Sequence, residues 1–281
     1  MSQSIKRILT PLDISSFSEA AARRSCEVAT RHEAEVTGLA VLDSPGIRAS
    51  IAPADVSHWP LVQETVLRAA DDARERIAEA RQRFIGCCEK NGVTHRESEL
   101  EGVPGDKILE ASVLYDLVVM GLRTYFHFET QQAPGDSLAK VLGRTVTPVL
   151  AVPESDIGGP LRKAVITWDG SFSAGRALRD FLGFAEPYDL EITVLTAGED
   201  GEQCEHLLSQ ASRYLKAHRV ERFETVHADT SSVEDVHDHY LKDADIVVAG
   251  IHSRRFFKDL FVGSFTNHLI EAGDQALFLS H

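Results

Sequence analysis

Short aliphatic runs alternate along this chain with longer stretches in which apolar residues recur at helical spacing. The runs "ILTPL" from Ile8, "LVVM" from Leu117 and "IVVA" from Ile246 are typical of strands that are covered on both faces. Parallel strands need crossover connections, which are usually helices. The pattern therefore predicts an α/β fold in which helices cover both faces of a parallel sheet.

The same order of segments occurs twice. "IKRILTPLDISSFSEAA" and "LRKAVITWDGSFSAGRA" each place two basic residues before a strand that ends in Asp, with Ser two residues later. Both are followed by a helical pattern, a β-branched strand, another helix, a polar alternating strand and a second aliphatic strand. The repeat predicts two homologous halves, each of the order β-α-β-α-β-α-β-α-β.

The domain boundaries are predicted from composition. Residues 154–160, "ESDIGGP", have the polar and Gly-Gly-Pro character of a linker. They separate an N-terminal domain of residues 1–153 from a C-terminal domain of residues 161–281. The first domain is longer, mainly because of a segment after its second strand and an amphipathic helix from about Leu61 to Lys90.

Each half closes with an apolar strand, Val149–Val152 or Ala276–Leu279, whose free edge needs a partner. Pairing these two strands with each other would hide both edges.

Charge and composition exclude several classes of function. The formal net charge of -14 argues against nucleic-acid partners, because binding there depends on neutralising phosphates. No apolar run has the length of a membrane span, and the N-terminus lacks the apolar core of a secretory signal. The four cysteines show no metal-site or redox spacing, which indicates reduced thiols and a cytoplasmic location.

A glycine-bounded loop follows the second aliphatic strand of each half. It runs from Gly121 to Gly135 in the first half and from Gly250 to Gly263 in the second, where it is one residue shorter. A Gly before a helix start offers free backbone N–H groups that can cradle phosphate. The loop is not a Walker loop, because no Gly-Lys-Ser/Thr follows. In such sheets ligands bind beyond the carboxyl ends of the strands, where both loops are predicted to lie.

These motifs resemble the universal stress protein family in its tandem two-domain form. The resemblance is carried by Asp-x-Ser-x-x-Ser/Ala-x-x-Ala near the first strand and by Gly-x-x-Gly-x9-Gly-Ser/Thr after the fourth. The first motif comprises Asp13, Ser15, Ser18 and Ala21 in one half, and Asp169, Ser171, Ala174 and Ala177 in the other.

This resemblance implies two Rossmann-like domains of the adenine nucleotide alpha hydrolase type. Each would be a five-stranded parallel sheet of order 3-2-1-4-5 with helices on both faces. It also implies a cytosolic stress-response role and, in one subset of the family, ATP bound at the glycine loop.

From the same resemblance we expect the two halves to pack face to face about a pseudo-twofold axis, as two subunits do in single-domain relatives, with the closing strands paired across it. The protein would then be a monomer with an internal pseudo-dimer, or a homodimer of such chains.

The second half keeps most of the loop pattern. Ser253 stands where the family's nucleotide binders have their second Gly, but the spacing to Gly263-Ser264 is intact. The hydroxyls of Ser264 and Thr266 could reach phosphate oxygens. The structural alternative is that the loop keeps its length for the fold, with Gly263-Ser264 as a turn and helix cap. The candidate nucleotide site comprises Asp169, Ser171, Gly250, Ser253, Gly263, Ser264 and Thr266.

The first half has a degenerate version of the same site. Thr124 replaces the second Gly, and Gly135 is followed by Asp136. A carboxylate caps a helix start well, but there it would occupy the place of a phosphate and repel it. The degenerate site comprises Asp13, Gly121, Thr124, Gly135 and Asp136, and we expect no ATP there. The aromatic stretch around His127 is expected to plug the vacated pocket, the alternative being an apolar ligand.

No catalytic or metal site is predicted. His237 and His239 lie two residues apart on a predicted helix and therefore point to different faces. We interpret the histidines after residue 200 as surface residues. No Gly-x-Ser-x-Gly nucleophile motif occurs in the sequence.

The sequence therefore indicates a non-catalytic regulatory or protective stress-response protein, with ATP or a related nucleotide as candidate ligand of the C-terminal domain. One alternative is a slow ATP hydrolase or phosphotransferase that uses the loop from Gly250 to Ser264. Another is a nucleotide-independent scaffold for an unknown protein partner, with the helix from Leu61 to Lys90 as its contact surface.

Overall fold

A computed structural model describes residues 4–51, 59–126, 137–251 and 264–281, with the backbone alone for residues 59–62 and Ser264. The strands of the first half form a parallel sheet of order β3-β2-β1-β4-β5. They are β1 (Arg7–Leu12), β2 (Glu35–Leu42), β3 (His95–Glu101), β4 (Leu117–Gly121) and β5 (Val149–Val152).

The second half repeats this topology as β8-β7-β6-β9-β10, again with parallel neighbours. Its strands are β6 (Lys163–Thr167), β7 (Glu191–Ala197), β8 (Phe223–Ala228), β9 (Ile246–Gly250) and β10 (Ala276–Ser280). Both halves have the strand order 3-2-1-4-5, so the predicted fold class is confirmed. The polar strands β3 and β8 lie at the two outer edges, where charged side chains face solvent.

Helices connect the strands of both halves. They are α1 (Ser16–His32), α2 (Ser44–Ile51), α3 (Trp59–Asn91), α4 (Pro104–Ser112), α5 (Ser137–Leu142), α6 (Phe172–Ala185), α7 (Gly201–Ala217), α8 (Val233–Val236) and α9 (Ser264–Ala272). A π-helical turn, His237–Leu241, continues α8. Helices α1 and α3 pack together, as do α4 and α5. None of these helices combines the length and apolar character that crossing a membrane requires.

The long helix α3 matches the one predicted from Leu61 to Lys90. One stripe of its residues is buried, with the spacing of an amphipathic helix: Ala73, Ile77, Ala80, Phe84 and Cys88. Phe84 lies so close to Gly38 of β2 that a Cβ there would be 2.7 Å from its ring. The apolar stripe of α3 therefore covers the sheet.

The closing strands β5 and β10 join the two halves. They pair antiparallel, with Leu277 opposite Ala151, Phe278 opposite Leu150 and Leu279 opposite Val149. This confirms the expected pairing, but the halves meet edge to edge in one continuous sheet and not face to face. Strand pairing satisfies the backbone groups of both apolar edges, whereas face-to-face packing would leave them unpaired. Two hydrophobic clusters run through both halves.

Residues of the predicted linker are held by α1. The Asp156 carboxylate is buried and accepts two hydrogen bonds from Arg24, at 2.9 Å from Nε and 2.8 Å from Nη2. Arg24 Nη1 donates to the Gly159 carbonyl at 2.7 Å and contacts Glu27 at 3.2 Å. Glu27 in turn accepts a hydrogen bond from the Tyr188 hydroxyl in the second half, at 2.8 Å. This network fixes the linker between the two halves.

Among the late histidines that the structure describes, the interpretation as surface residues is wrong for His237, and His252 lies outside the described residues. His237 is buried, and its ring lies 5.5 Å from that of His268. His237 lies four residues after the buried Val233, so helical spacing places it on the same apolar face, and it is the first residue of the π-helical turn.

Candidate functional site

In each half, two of the predicted site residues lie at the carboxyl ends of two neighbouring strands. Asp13 follows β1, Gly121 ends β4, and these strands pair directly. Asp169 and Gly250 have the same positions on β6 and β9. In each half, this strand pair is where the strand order reverses, which is the usual ligand crevice of such sheets. Because the halves run antiparallel, the two crevices open at opposite edges of the sheet.

In the first half the Asp13 carboxylate is fully engaged by the chain itself. Its Oδ1 accepts hydrogen bonds from the Ser15 N–H at 2.8 Å and the Ser15 hydroxyl at 2.5 Å. Its Oδ2 accepts one from the Tyr125 N–H at 2.6 Å, which ties the segment after β4 to the end of β1. Burial raises the pKa of Asp13, and the hydrogen bonds from Ser15 and Tyr125 partly offset this effect.

The Asp-x-Ser motif has a structural role in both halves. In the second half, Asp169 is buried and its Oδ1 accepts a hydrogen bond from the Ser171 N–H at 2.9 Å. Ser171 then caps α6, because its hydroxyl accepts from the Ala174 N–H at 3.2 Å. Ser15 caps α1 in the same way. The motif therefore turns the chain from the first strand into the following helix, which explains why both halves contain it.

Gly121 and Gly250 are required by packing within the chain. A Cβ on Gly250 would lie 2.5 Å from the backbone nitrogen of Ala174, in the first turn of α6. A Cβ on Gly121 would lie 2.6 Å from Phe17 Cβ, in the first turn of α1. A glycine at a strand end can let a ligand approach closely, but here the groups that approach both glycines are helices of the same chain.

The start of α9 contains a buried polar group in need of a partner. Thr266 is 1% exposed, and its Oγ1 makes no hydrogen bond in the described part of the chain. It lies in the first turn of α9, the helix that follows β9 along the chain. Buried hydroxyls are nearly always paired, so this one requires an explanation. The residue at the corresponding position of α5, three after the second Gly of the loop, is the buried Leu138.

Several predicted residues lie outside the part of the chain that is described. They are Ser253 and Gly263 in the second half, and His127, Gly135 and Asp136 in the first. Ser264 begins α9, with its backbone alone described. Thr124 is buried, and so is Phe126, which joins the core beside Leu122.

Within the described ranges, no group of three or more His, Cys, Asp or Glu residues is arranged to hold a metal ion.

Two α/β halves of order 3-2-1-4-5, with polar residues at the strand-order reversal, define a protein of the Rossmann-like class. The model of the universal stress protein family matches residues 4–153, which is more than half of the chain. The chain therefore belongs to the universal stress protein family, as its motifs indicated.

Solved structures share the whole architecture. A universal stress protein from Archaeoglobus fulgidus DSM 4304 is 18% identical, with a TM-score of 0.66 over 99% of this chain and 96% of that one. A functionally unknown protein from Pseudomonas aeruginosa PAO1 is 13% identical, with a TM-score of 0.60 over 99% and 93% of the two chains. The cytoplasmic domain of a prokaryotic cation chloride cotransporter is 12% identical, with a TM-score of 0.53 over 99% and 95%.

At these identities the likeness shows the fold alone. Among curated proteins, no sequence matches the chain.

Proposed function

We propose that this is a cytoplasmic stress-response protein that binds ATP or a related nucleotide in its C-terminal domain and does not turn it over. The domains of the proposal are residues 1–153 and 161–281, joined by residues 154–160. The N-terminal domain binds no nucleotide and supports the other. The observation that carries the proposal is the buried hydroxyl of Thr266 at the start of α9, which has no hydrogen-bond partner among the described residues.

A buried hydroxyl without a hydrogen-bond partner lowers the free energy of unfolding by about 1–3 kcal/mol. We therefore expect such a hydroxyl to have a function that compensates for this loss of stability. A phosphate oxygen would supply the missing acceptor. The same helix start provides backbone N–H groups and the positive end of the helix dipole, which together favour an anion. In the first half, Leu138 offers no hydroxyl at the corresponding position, which agrees with the loss of phosphate binding there.

The position of the crevice supports a nucleotide in particular. Asp169 and Gly250 lie at the reversal of strand order, where a base and ribose would be next to the Asp169 carboxylate. In the first half the equivalent Asp13 is bonded through both oxygens to Ser15 and Tyr125. A ligand there would have to displace the Tyr125 N–H.

The test is to purify the protein without added nucleotide, denature it, and analyse the supernatant by HPLC and mass spectrometry. Calorimetric titration with ATP then measures affinity in the wild type and in Thr266→Val. We expect the variant to lose about tenfold to 100-fold in affinity, since hydrogen bonds to charged groups contribute about 1.5–3 kcal/mol. The free variant should also unfold at a higher temperature, because an unpaired polar group has been removed.

Thr37→Val is the matched control. Thr37 Oγ1 is likewise buried with no hydrogen-bond partner in the described chain, but it lies on β2 of the first half. This control should gain stability and keep its affinity for ATP. The proposal is contradicted if no nucleotide copurifies and no binding is measured at millimolar ATP. If the protein binds ATP and hydrolyses it, the slow ATP hydrolase is the correct function.

A further inference from the structure

Three of the four thiols of this protein meet between two helices. The Sγ of Cys26, in α1, lies 3.7 Å from the Sγ of Cys87 and 3.7 Å from that of Cys88, both in α3. The spacing of the cysteines does not predict this contact, because Cys26 and Cys87 are 61 residues apart. Although adjacent residues on a helix point in different directions, Cys87 and Cys88 both contact the thiol of Cys26. The fourth, Cys204, is buried in the second half.

The three thiols differ in their access to solvent. Cys26 is 1% exposed and Cys88 is fully buried. Cys87 is only half-buried, and it lines a cavity of about 900 Å³ between α1, α3 and the linker. A small solute that enters this cavity therefore reaches Cys87 first, with Cys26 directly behind it.

We propose that Cys87 and Cys26 are a peroxide-dependent modification site that forms a disulfide between α1 and α3. The Cys87 sulfur attacks the peroxide: an S–O bond forms, the O–O bond breaks, and one water leaves. Cys26 then attacks the resulting Cys87 sulfenic acid, so that an S–S bond forms, the S–O bond breaks, and a second water leaves. Two thiols lose two electrons, and one peroxide is reduced to two waters.

The surroundings of Cys87 suit this chemistry. The positive charges of Arg23 and Lys90 lie close enough to favour its anion, and both residues line the same cavity. The Asn91 side-chain amide lies 3.9 Å from its Sγ and is a weak donor to it. These groups would also stabilise a sulfenate in the interval before Cys26 reacts.

The thiols are slow to react in the resting protein. The hydrogen bond with Cys26, together with burial, raises the pKa of Cys87. The hydrogen bond with Cys87 lowers the pKa of Cys26, but contact with Cys88 and burial outweigh it and raise that pKa to about 12. Since the thiolate is the nucleophile, the site should respond to sustained peroxide and not to a brief pulse.

The geometry requires little movement. A disulfide has an S–S length of about 2 Å, so the two sulfurs must approach by rotation of side chains on helices that are already packed together. Cys88 is as near to Cys26, but it has no access to the cavity. The cross-link would close a long loop of the unfolded chain and so stabilise the oxidised form.

The experiment uses the full-length protein, reduced, freed of reductant and then treated with hydrogen peroxide under native conditions. We expect the intact mass to fall by two hydrogens per chain, and a non-reducing peptide map to contain one peptide pair linked through Cys26 and Cys87. Dithiothreitol should restore the mass. The thermal midpoint of the oxidised protein should be higher than that of the reduced protein.

Single variants separate the two steps. Cys26→Ser should accumulate the Cys87 sulfenic acid, trapped as a dimedone adduct, and Cys87→Ser should form neither adduct nor disulfide at Cys26. Cys88→Ser and Cys204→Ser should behave like the wild type. The proposal is overturned by a chain that stays reduced under native conditions, by a link through Cys88, or by cross-links between chains in place of the internal one.

Discussion

Where β4 and β9 end, a missing Cβ atom lets the strand touch the first turn of a helix. At Gly250 the nearest groups are the backbone nitrogen of Ala174 and the backbone carbon of Ser173, at 2.5 and 2.6 Å from the position of the added Cβ. Backbone at a helix start cannot rotate away as a long side chain can. The contact also lies beside the Ser171 cap of α6.

Gly250→Ala should therefore destabilise the protein by about 1–3 kcal/mol, the usual cost of overpacking a core. The measurement is urea denaturation of the ligand-free protein. Gly86→Ala, on α3, is the control, because its Cβ would meet no atom within 4 Å in the described structure. There the better helix propensity of Ala should add about 0.5–1 kcal/mol of stability. Equal effects of the two changes would contradict this account.

For the site residues, the sequence predicted where they lie in the fold better than it predicted which groups they contact. Asp13, Gly121, Asp169 and Gly250 all lie at the strand ends where they were expected. However, Asp13 and Asp169 bond to the residues that begin α1 and α6, and the two glycines pack against the same helices. A motif shows which residues recur and not which groups they touch. The need of Thr266 for a partner depends on burial, which only the packed structure provides.

Among the elements, α1 connects more parts of the molecule than its length suggests. It begins at the Asp13 site, contacts α3 through Cys26, and holds the linker through Arg24. Through Glu27 it also reaches Tyr188 of the second half. The Arg24–Asp156 ion pair at the centre of these contacts is buried on both sides.

Asp156→Asn should cost about 3 kcal/mol of stability, since it leaves the Arg24 charge buried without its bidentate partner. Urea denaturation at neutral pH measures this. The comparison is Glu97→Gln, which removes an ion pair of Arg81 that is about one third exposed. Such pairs contribute about 0–1 kcal/mol. If Asp156→Asn were no more harmful than Glu97→Gln, the linker would not be held by this pair.

The succession of elements was predictable because each carries its own periodicity. Helix α3 and the polar edge strands β3 and β8 were found where the pattern placed them. The contacts of the linker and the meeting of the three thiols were not predictable, because they depend on side chains far apart in the sequence. The burial of His237 could have been predicted, since it lies four residues after the buried Val233 on the same face of the helix.

At the scale of the whole molecule, the pairing of β5 with β10 joins the two halves into one continuous sheet. Phe278 of β10 is fully buried and lies opposite Leu150. Its ring is 5.5 Å from that of Phe181 and 5.3 Å from that of Phe184. Both hydrophobic clusters continue through this junction, so the halves should unfold together.

Phe278→Ala should destabilise the protein by about 3–5 kcal/mol, as expected for deleting a buried aromatic ring. Amide hydrogen exchange of the full chain tests whether the halves are coupled. We expect β1 and β6, one from each half, to lose protection by the same amount in the variant. Faster exchange confined to the second half would show that the halves unfold independently.

The antiparallel junction has a consequence for how this protein can change. In a dimer of identical chains, every substitution appears in both subunits and alters both crevices at once. Here both edges of the junction belong to one polypeptide, and the residues of each crevice are encoded separately. A substitution in one crevice therefore leaves the other crevice unchanged. Leu138 and Thr266 can therefore differ although they occupy equivalent positions, and one crevice can lose its ligand while its half still completes the sheet for the other.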